Sequence, residues 1–273
     1  MRLQTGYKLL IFGLAVLIVP ACTEDIEIDL NSSDPEIVIE GGVATAGEPV
    51  KLKITKSVNF DEDNVFPLVE NATVEISDDL GNSVLVPETA PGIYSTDEFS
   101  VIEGLTYHML VEAEDQSFSA SSTIPHQVAF DELIVRKTEG GAAGGPGGFG
   151  SLTNYDVLVR YTDPTDEANR YRFVELVNGQ PEADYIFDDR LTDGLSVEQG
   201  LMRFDRVLEA GDTLHIVMQC IDERVYDYFN SFGNLMGGPG NSSTPANPYT
   251  NIDGAVLGYF SAHTYEMKQK IIE

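Results

Sequence analysis

The segment TYHMLVEAEDQSFSASSTI, residues 106–124, decides the fold. Tyr107, Met109 and Val111 alternate with His108, Leu110 and Glu112, and Phe118 and Ala120 repeat the period beyond a short acidic turn. Side chains of an extended strand change face at every residue, so a period of two marks a strand with one dry and one wet face. The segment predicts an antiparallel hairpin in which residues 106–114 and 117–124 are joined across Asp115 and Gln116, with Pro125 closing the unit.

The same pattern recurs upstream. Val50, Leu52 and Ile54 alternate with Lys51, Lys53 and Thr55, and Val74 and Ile76 repeat the period. Asp78, Asp79, Leu80, Gly81 and Asn82 then supply turn chemistry before a return strand at residues 83–86. Several short strands at this spacing predict an immunoglobulin-like antiparallel sandwich over residues 36–126.

Residues 127–273 predict a second β-rich domain, with strands at 155–161, 170–177, 214–221 and 255–264. Cys220 falls in phase with Leu214, Ile216 and Met218, which predicts a buried structural thiol. Val225, Tyr228, Phe229 and Phe232 stand at i, i+3, i+4 and i+7, with Asp222 suited to the N-cap and Gly233 to the C-terminal stop. The fold class is therefore all-β with one short amphipathic helix.

Two Gly-rich stretches, residues 139–151 and 233–241, share the tetrad GGPG. Neither carries the Lys-Ser/Thr ending of a phosphate loop. They read as loops whose apolar tips, Phe149, Leu235 and Met236, are partner-contact candidates, or as plain linkers.

At the N-terminus, Arg2 and Lys8 precede an apolar run at residues 9–19. That is the layout of a secretory signal, and the run falls short of the roughly 20 residues a spanning helix needs. Val19, Pro20, Ala21 and Cys22 resemble a bacterial lipobox, which predicts a signal peptide at 1–21 and a lipid on Cys22 that anchors the chain without spanning the bilayer. Residues 22–35 form an acidic tether, similar to the surface-export signal of Bacteroidota lipoproteins. The expected location is the outer membrane, facing the cell exterior.

The formal charge is −29. A body this acidic repels phosphate backbones, so no nucleic-acid partner is expected. Cys22 and Cys220 are the two cysteines; acylation of the first leaves the second without a disulfide partner. His108, His126, His215 and His263 have no metal-ligand spacing, and no nucleophile elbow or zinc-protease helix is present, so no catalytic residue is assigned. The densest oxygen cluster is Asp188, Asp189, Thr192 and Asp193, with Asp184 upstream. It is a calcium candidate that lacks EF-hand spacing, and a polar turn explains the same residues.

Several blocks then carry a resemblance: Val38-Ile-Glu-Gly, Ala72-Thr-Val-Glu-Ile, Tyr161-Thr-Asp-Pro, Asn169-Arg-Tyr-Arg-Phe, Tyr226-Asp-Tyr and the run from Asn247 that ends Leu257-Gly-Tyr-Phe-Ser-Ala. Together they resemble the Bacteroidota lipoproteins grouped as domain of unknown function family 4249. The resemblance implies a surface lipoprotein, often encoded beside a TonB-dependent outer-membrane receptor, and brings no activity or catalytic residues. The expectation is a non-enzymatic accessory protein that docks on or gates such a receptor in nutrient uptake. An adhesin or structural surface module is the alternative, and a calcium-assisted hydrolase using Asp188 to Asp193 is the third.

Overall fold

A computed structural model of the chain describes residues 34–59, 62–63, 65–137, 155–203, 207–236, 247–254 and 256–273, with the backbone alone for 234–236. Cys22 and Phe149 lie outside the described residues, as do the side chains of Leu235 and Met236.

Along the chain the strands are β1 (Ile37–Ala44), β2 (Val50–Lys56), β3 (Thr73–Asp78), β4 (Ser83–Leu85), β5 (Glu88–Ala90), β6 (Ile93–Thr96), β7 (Thr106–Ala113) and β8 (Gln116–Thr123). Then come β9 (Phe130–Lys137), β10 (Tyr155–Thr162), β11 (Arg170–Val177), β12 (Gln180–Asp188), β13 (Ser196–Gly200) and β14 (Thr213–Cys220). Helix α1 (Glu223–Met236) precedes β15 (Ile252–Asp253), β16 (Val256–His263) and β17 (Glu266–Ile271). The chain is thus all-β with a single helix among the described residues. That helix is too short to cross a membrane.

Two five-stranded sheets, β16-β1-β2-β6-β5 and β15-β8-β7-β3-β4, share one core that includes Ile39, Leu52, Ile76, Met109, Phe118 and Phe260. Two further sheets, β13-β10-β9 and β12-β11-β14-β17, share a second core around Phe130, Tyr161, Tyr171, Phe173, Ile216 and Met218. Each fully buried large apolar side chain contributes roughly 1.5–3 kcal/mol, so both cores are substantial. Cys220 is buried in the second core, where the Val128 amide donates to its Sγ at 3.4 Å.

The structure departs from the sequence expectations in four places. The expected boundary at residue 126 does not hold for the C-terminal strands: β16 pairs in parallel with β1 from Ile37↔Val256 to Ala44↔His263, and β15 pairs with β8. The first sandwich is therefore completed from the far end of the chain, and its sheet is mixed rather than purely antiparallel.

The central hairpin turns one residue earlier than expected. Glu114 and Asp115 both hold positive φ, at 50° and 62°, and Ala113 pairs with Gln116. A two-residue turn with both φ positive follows the natural right-handed twist of the strands, which outweighs the poor intrinsic fit of Glu.

Helix α1 passes Gly233 and ends at Met236. A glycine only weakens a helix interior by about 1 kcal/mol, and it ends a helix where the backbone turns to positive φ, which Gly233 does not do. Strand β17 follows β16 and is not among the strands expected from the sequence. Its alternate lysines hide the period, yet the stem of Lys268 reaches back until Nζ lies 5.5 Å from the Phe130 ring centroid.

The β1–β16 pairing depends on glycine. Gly258 sits at φ 101°, and a Cβ there would lie 2.0 Å from the Ile39 carbonyl oxygen; at Gly42 it would lie 1.7 Å from that of Ser261. Both the left-handed backbone and the close approach exclude a side chain at Gly258. Gly258→Val is expected to lower the unfolding free energy by roughly 2 kcal/mol or more, read from the urea midpoint. An unchanged midpoint would show that the two strands do not meet this way.

Candidate functional site

Strand β11 turns Tyr171, Phe173 and Glu175 into the second core and leaves Arg170, Arg172 and Val174 on the opposite face. Helix α1 lies over that face and is fixed there by its N-cap. Asp222 Oδ1 accepts the Val225 amide at 2.9 Å, while Oδ2 accepts the Ser122 hydroxyl at 2.5 Å and the Thr123 amide at 3.2 Å. Ser122 Oγ in turn accepts the Ala262 amide of β16 at 2.8 Å. One carboxylate thus caps the helix and ties it to both sheets of the first sandwich. Removing a capping carboxylate from a helix typically costs about 1 kcal/mol, and here the ties to β8 and β16 are lost with it.

At its own N-terminal end the helix also grips β11 and the end of β12. Arg170 pairs with Glu223 at 2.8 Å, and the Tyr226 hydroxyl donates to Asp188 Oδ2 at 2.9 Å.

Between α1, β11, β12 and the paired strands β1 and β16 lies a cleft of about 700 Å³. Its apolar walls are Tyr228, Phe229 and Phe232 from the helix and Tyr259 from β16. The rings pack against one another: Tyr228 and Phe229 stand 4.9 and 4.8 Å from Tyr259, and Tyr228 stacks on Phe232 at 6.3 Å with an interplanar angle of 12°. Such offset and edge contacts each add about 0.5–1.5 kcal/mol beyond area burial, so the walls are set before any ligand arrives.

Arg172 forms the floor. Its Nη2 donates to Asp184 Oδ2 at 2.8 Å, its Nη1 donates to Gln219 Oε1 at 3.1 Å, and its Cζ lies 4.1 Å from the Phe229 centroid. Burial works against the charge, and Tyr259 and Asp184 more than restore it, so the guanidinium pKa lies above its ordinary value. Glu40, Glu182 and Asn230 complete the polar lining, and Glu182 is paired with Arg203 at 3.0 Å. Burial, followed by the nearby carboxylate of Glu40, pushes the Tyr228 phenol up; burial does the same to Tyr259.

Of the acidic cluster picked out in the sequence, Asp184 lines the cleft and Asp188, Asp189 and Asp193 stand outside it. Asp188 points to Arg190 and Tyr226, and the Arg190 hydrogen bond holds its pKa below the usual carboxylate range. Asp189 turns inward to accept the Asn169 amide, and Asp193 accepts the Asp166 amide. The three carboxylates therefore serve separate sets of donors, Arg190 and Tyr226, Asn169, and Asp166. Among the described residues no three His, Cys, Asp or Glu side chains are placed to hold a metal ion.

Sequence reasoning did not single out Glu40, Arg172 or Tyr259. A signal was available: the blocks Val38-Ile-Glu-Gly, Asn169-Arg-Tyr-Arg-Phe, Tyr226-Asp-Tyr and Leu257-Gly-Tyr-Phe each place one residue in the cleft.

Residues 23–269 match the family described as domain of unknown function (DUF4249). Among curated proteins none matches the chain.

Behind the floor, His263 meets Ser261 Oγ at 2.9 Å. Burial first, and the charge of Arg172 second, push its pKa from 6.5 down to about 3. Between those values the unfolded chain holds a proton that the folded chain does not, so stability falls as pH drops from 6.5 toward 3. Replacing His263 by Asn removes this contribution, while the remaining titrations are common to both chains. The stability lost between pH 7 and pH 4 in urea titrations is expected to be smaller in His263→Asn by roughly 2 kcal/mol. Equal losses in the two chains would contradict a half-buried imidazole that stays neutral in the fold.

Proposed function

The chain belongs to the family of domain of unknown function DUF4249, and from that premise we propose that it is a lipid-anchored surface protein that binds a small molecule and works beside a TonB-dependent receptor in nutrient uptake. The observation that carries the binding part is the aromatic cleft. It has the volume of a small-molecule site, pre-packed walls and a few fixed polar groups. Arg172 is held by Asp184 and Gln219 and Glu182 by Arg203, so that most of the charged lining is fixed in place, an arrangement suited to orienting a ligand rather than to moving protons.

The anchor rests on the lipobox-like Val19 to Cys22 and on the acids that follow it. The receptor rests on the family resemblance. This reading makes the protein a Bacteroidota outer-membrane lipoprotein with no catalytic residues.

Purification of the full-length, tagged chain from gently detergent-solubilised outer membranes tests the reading. A TonB-dependent receptor is expected to co-elute in stoichiometric amount, and Cys22→Ser is expected to release the chain from the membrane fraction. Recovery of the wild-type chain as a free monomer at low salt would overturn the receptor partnership.

A further inference from the structure

We propose that the cleft beside α1 takes a compact organic cation, a small molecule bearing an ammonium or amidinium group, with Glu40 as its counter-ion and Tyr228, Phe229, Phe232 and Tyr259 as its walls. The inference rests on the reading of the protein as a binding protein and adds the class of its ligand.

The charges of the lining lead to this class. Three carboxylates face the cleft, Glu40, Glu182 and Asp184, and one guanidinium, Arg172. Asp184 is paired with Arg172 at 2.8 Å and Glu182 with Arg203 at 3.0 Å. Glu40 alone keeps no hydrogen bond or ion pair among the described residues, although it is partly buried on β1. Its register partner on β16 is Tyr259, which sets the carboxylate beside the ring cluster; its partner on β2, Lys53, is exposed to solvent and makes no ion pair with it. A partly desolvated carboxylate with no cation is costly, and one incoming positive charge offsets that cost.

The walls agree with the charge. Aromatic faces are electron-rich and attract cations held within about 6 Å of their centroids. The cleft already shows this chemistry once, in Arg172 over Phe229 at 4.1 Å. Phe232, 44% exposed, places an aromatic ring at the mouth, where an approaching ligand first meets the site.

The same lining disfavours an anion. Nη1 and Nη2 of Arg172 are engaged with Gln219 and Asp184, and the unpaired charge that remains in the cleft is negative. The formal charge of −29 raises the local concentration of cations around the whole body and works in the same direction.

Titration calorimetry on the full-length chain in a non-ionic detergent tests the assignment. The probes are choline, agmatine and 3,3-dimethylbutan-1-ol, the uncharged carbon isostere of choline. At least one of the two cations is expected to bind saturably at one site, and the isostere about tenfold or more weaker than choline where choline is the one that binds. Glu40→Gln is expected to weaken the cation about fivefold or more and to leave the isostere unchanged. Phe232→Ala, at a partly exposed position, is expected to weaken the cation while the chain stays folded, its unfolding midpoint lowered only by the loss of the stack on Tyr228. Equal affinity for choline and its isostere, full binding by Glu40→Gln, or saturable binding of neither cation would each overturn the proposal. Co-elution with the receptor is scored separately, so a failure here is distinguishable from a failure of the functional reading.

Discussion

Everything in this structure depends on the parallel pairing of Val256–His263 with Ile37–Ala44. Without β16 the first sandwich would expose the edge of β1 and lose Phe260 and Ala262 from its core. An open edge of this kind invites pairing with another chain. The pairing also decides where the helix sits, because the Ala262 amide, the Ser122 hydroxyl and the Asp222 carboxylate form one chain of hydrogen bonds from β16 to the cap of α1. Asn251 adds a second clamp: its side-chain amide donates to the Phe260 carbonyl and accepts the Phe260 amide. Most of the second sandwich, β9 to β14, is thus inserted between two parts of the first, and β17 returns to it after β16. Doubling the length of a closed loop costs only about 0.6 kcal/mol, so such an insertion is tolerated in stability, although long-range pairing slows folding.

The cleft is a product of that closure. Its residues come from β1, β11, β12, α1 and β16, and even the helix supplies fewer than half of them. Arg172 joins the parts: its strand belongs to the second core, its cation–π partner to the helix, and Tyr259, which lines the same cleft, to the first sandwich. A guanidinium suits this position because its planar fork satisfies several acceptors while one face stacks on a ring, which a lysine could not do.

The legible part of the sequence was the part whose cause is local. Period-two alternation in β2, β7, β8 and β14 follows from one dry face per strand, and the cap at Asp222 follows from the unpaired amides of a helix start. The segment at residues 255–264 was readable as a strand, but its partner was not, since nothing near it names residues 37–44. Gly41, Gly42 and Gly258 were the available hint, because glycines inside strands mark a close approach of backbones. The acidic run at Asp188 left both a polar turn and a metal site open for a related reason: residue counts give the number of oxygens but not their direction, and successive residues at the end of an extended strand point to opposite sides. The cleft was illegible as a whole because Glu40, Arg172 and Tyr259 are each ordinary in their own segments and acquire meaning only when the ends of the chain meet.

Native-state hydrogen exchange tests the closure most directly. If β16 completes the first sandwich, the amides of Gly258 and Phe260 should open only with global unfolding, with the same free energy as the central amides of β7 and with the same dependence on urea. Exchange of β16 at much lower free energy, while β7 and β8 stay protected, would contradict the account, because it would show a first sandwich that stands without the returning strand.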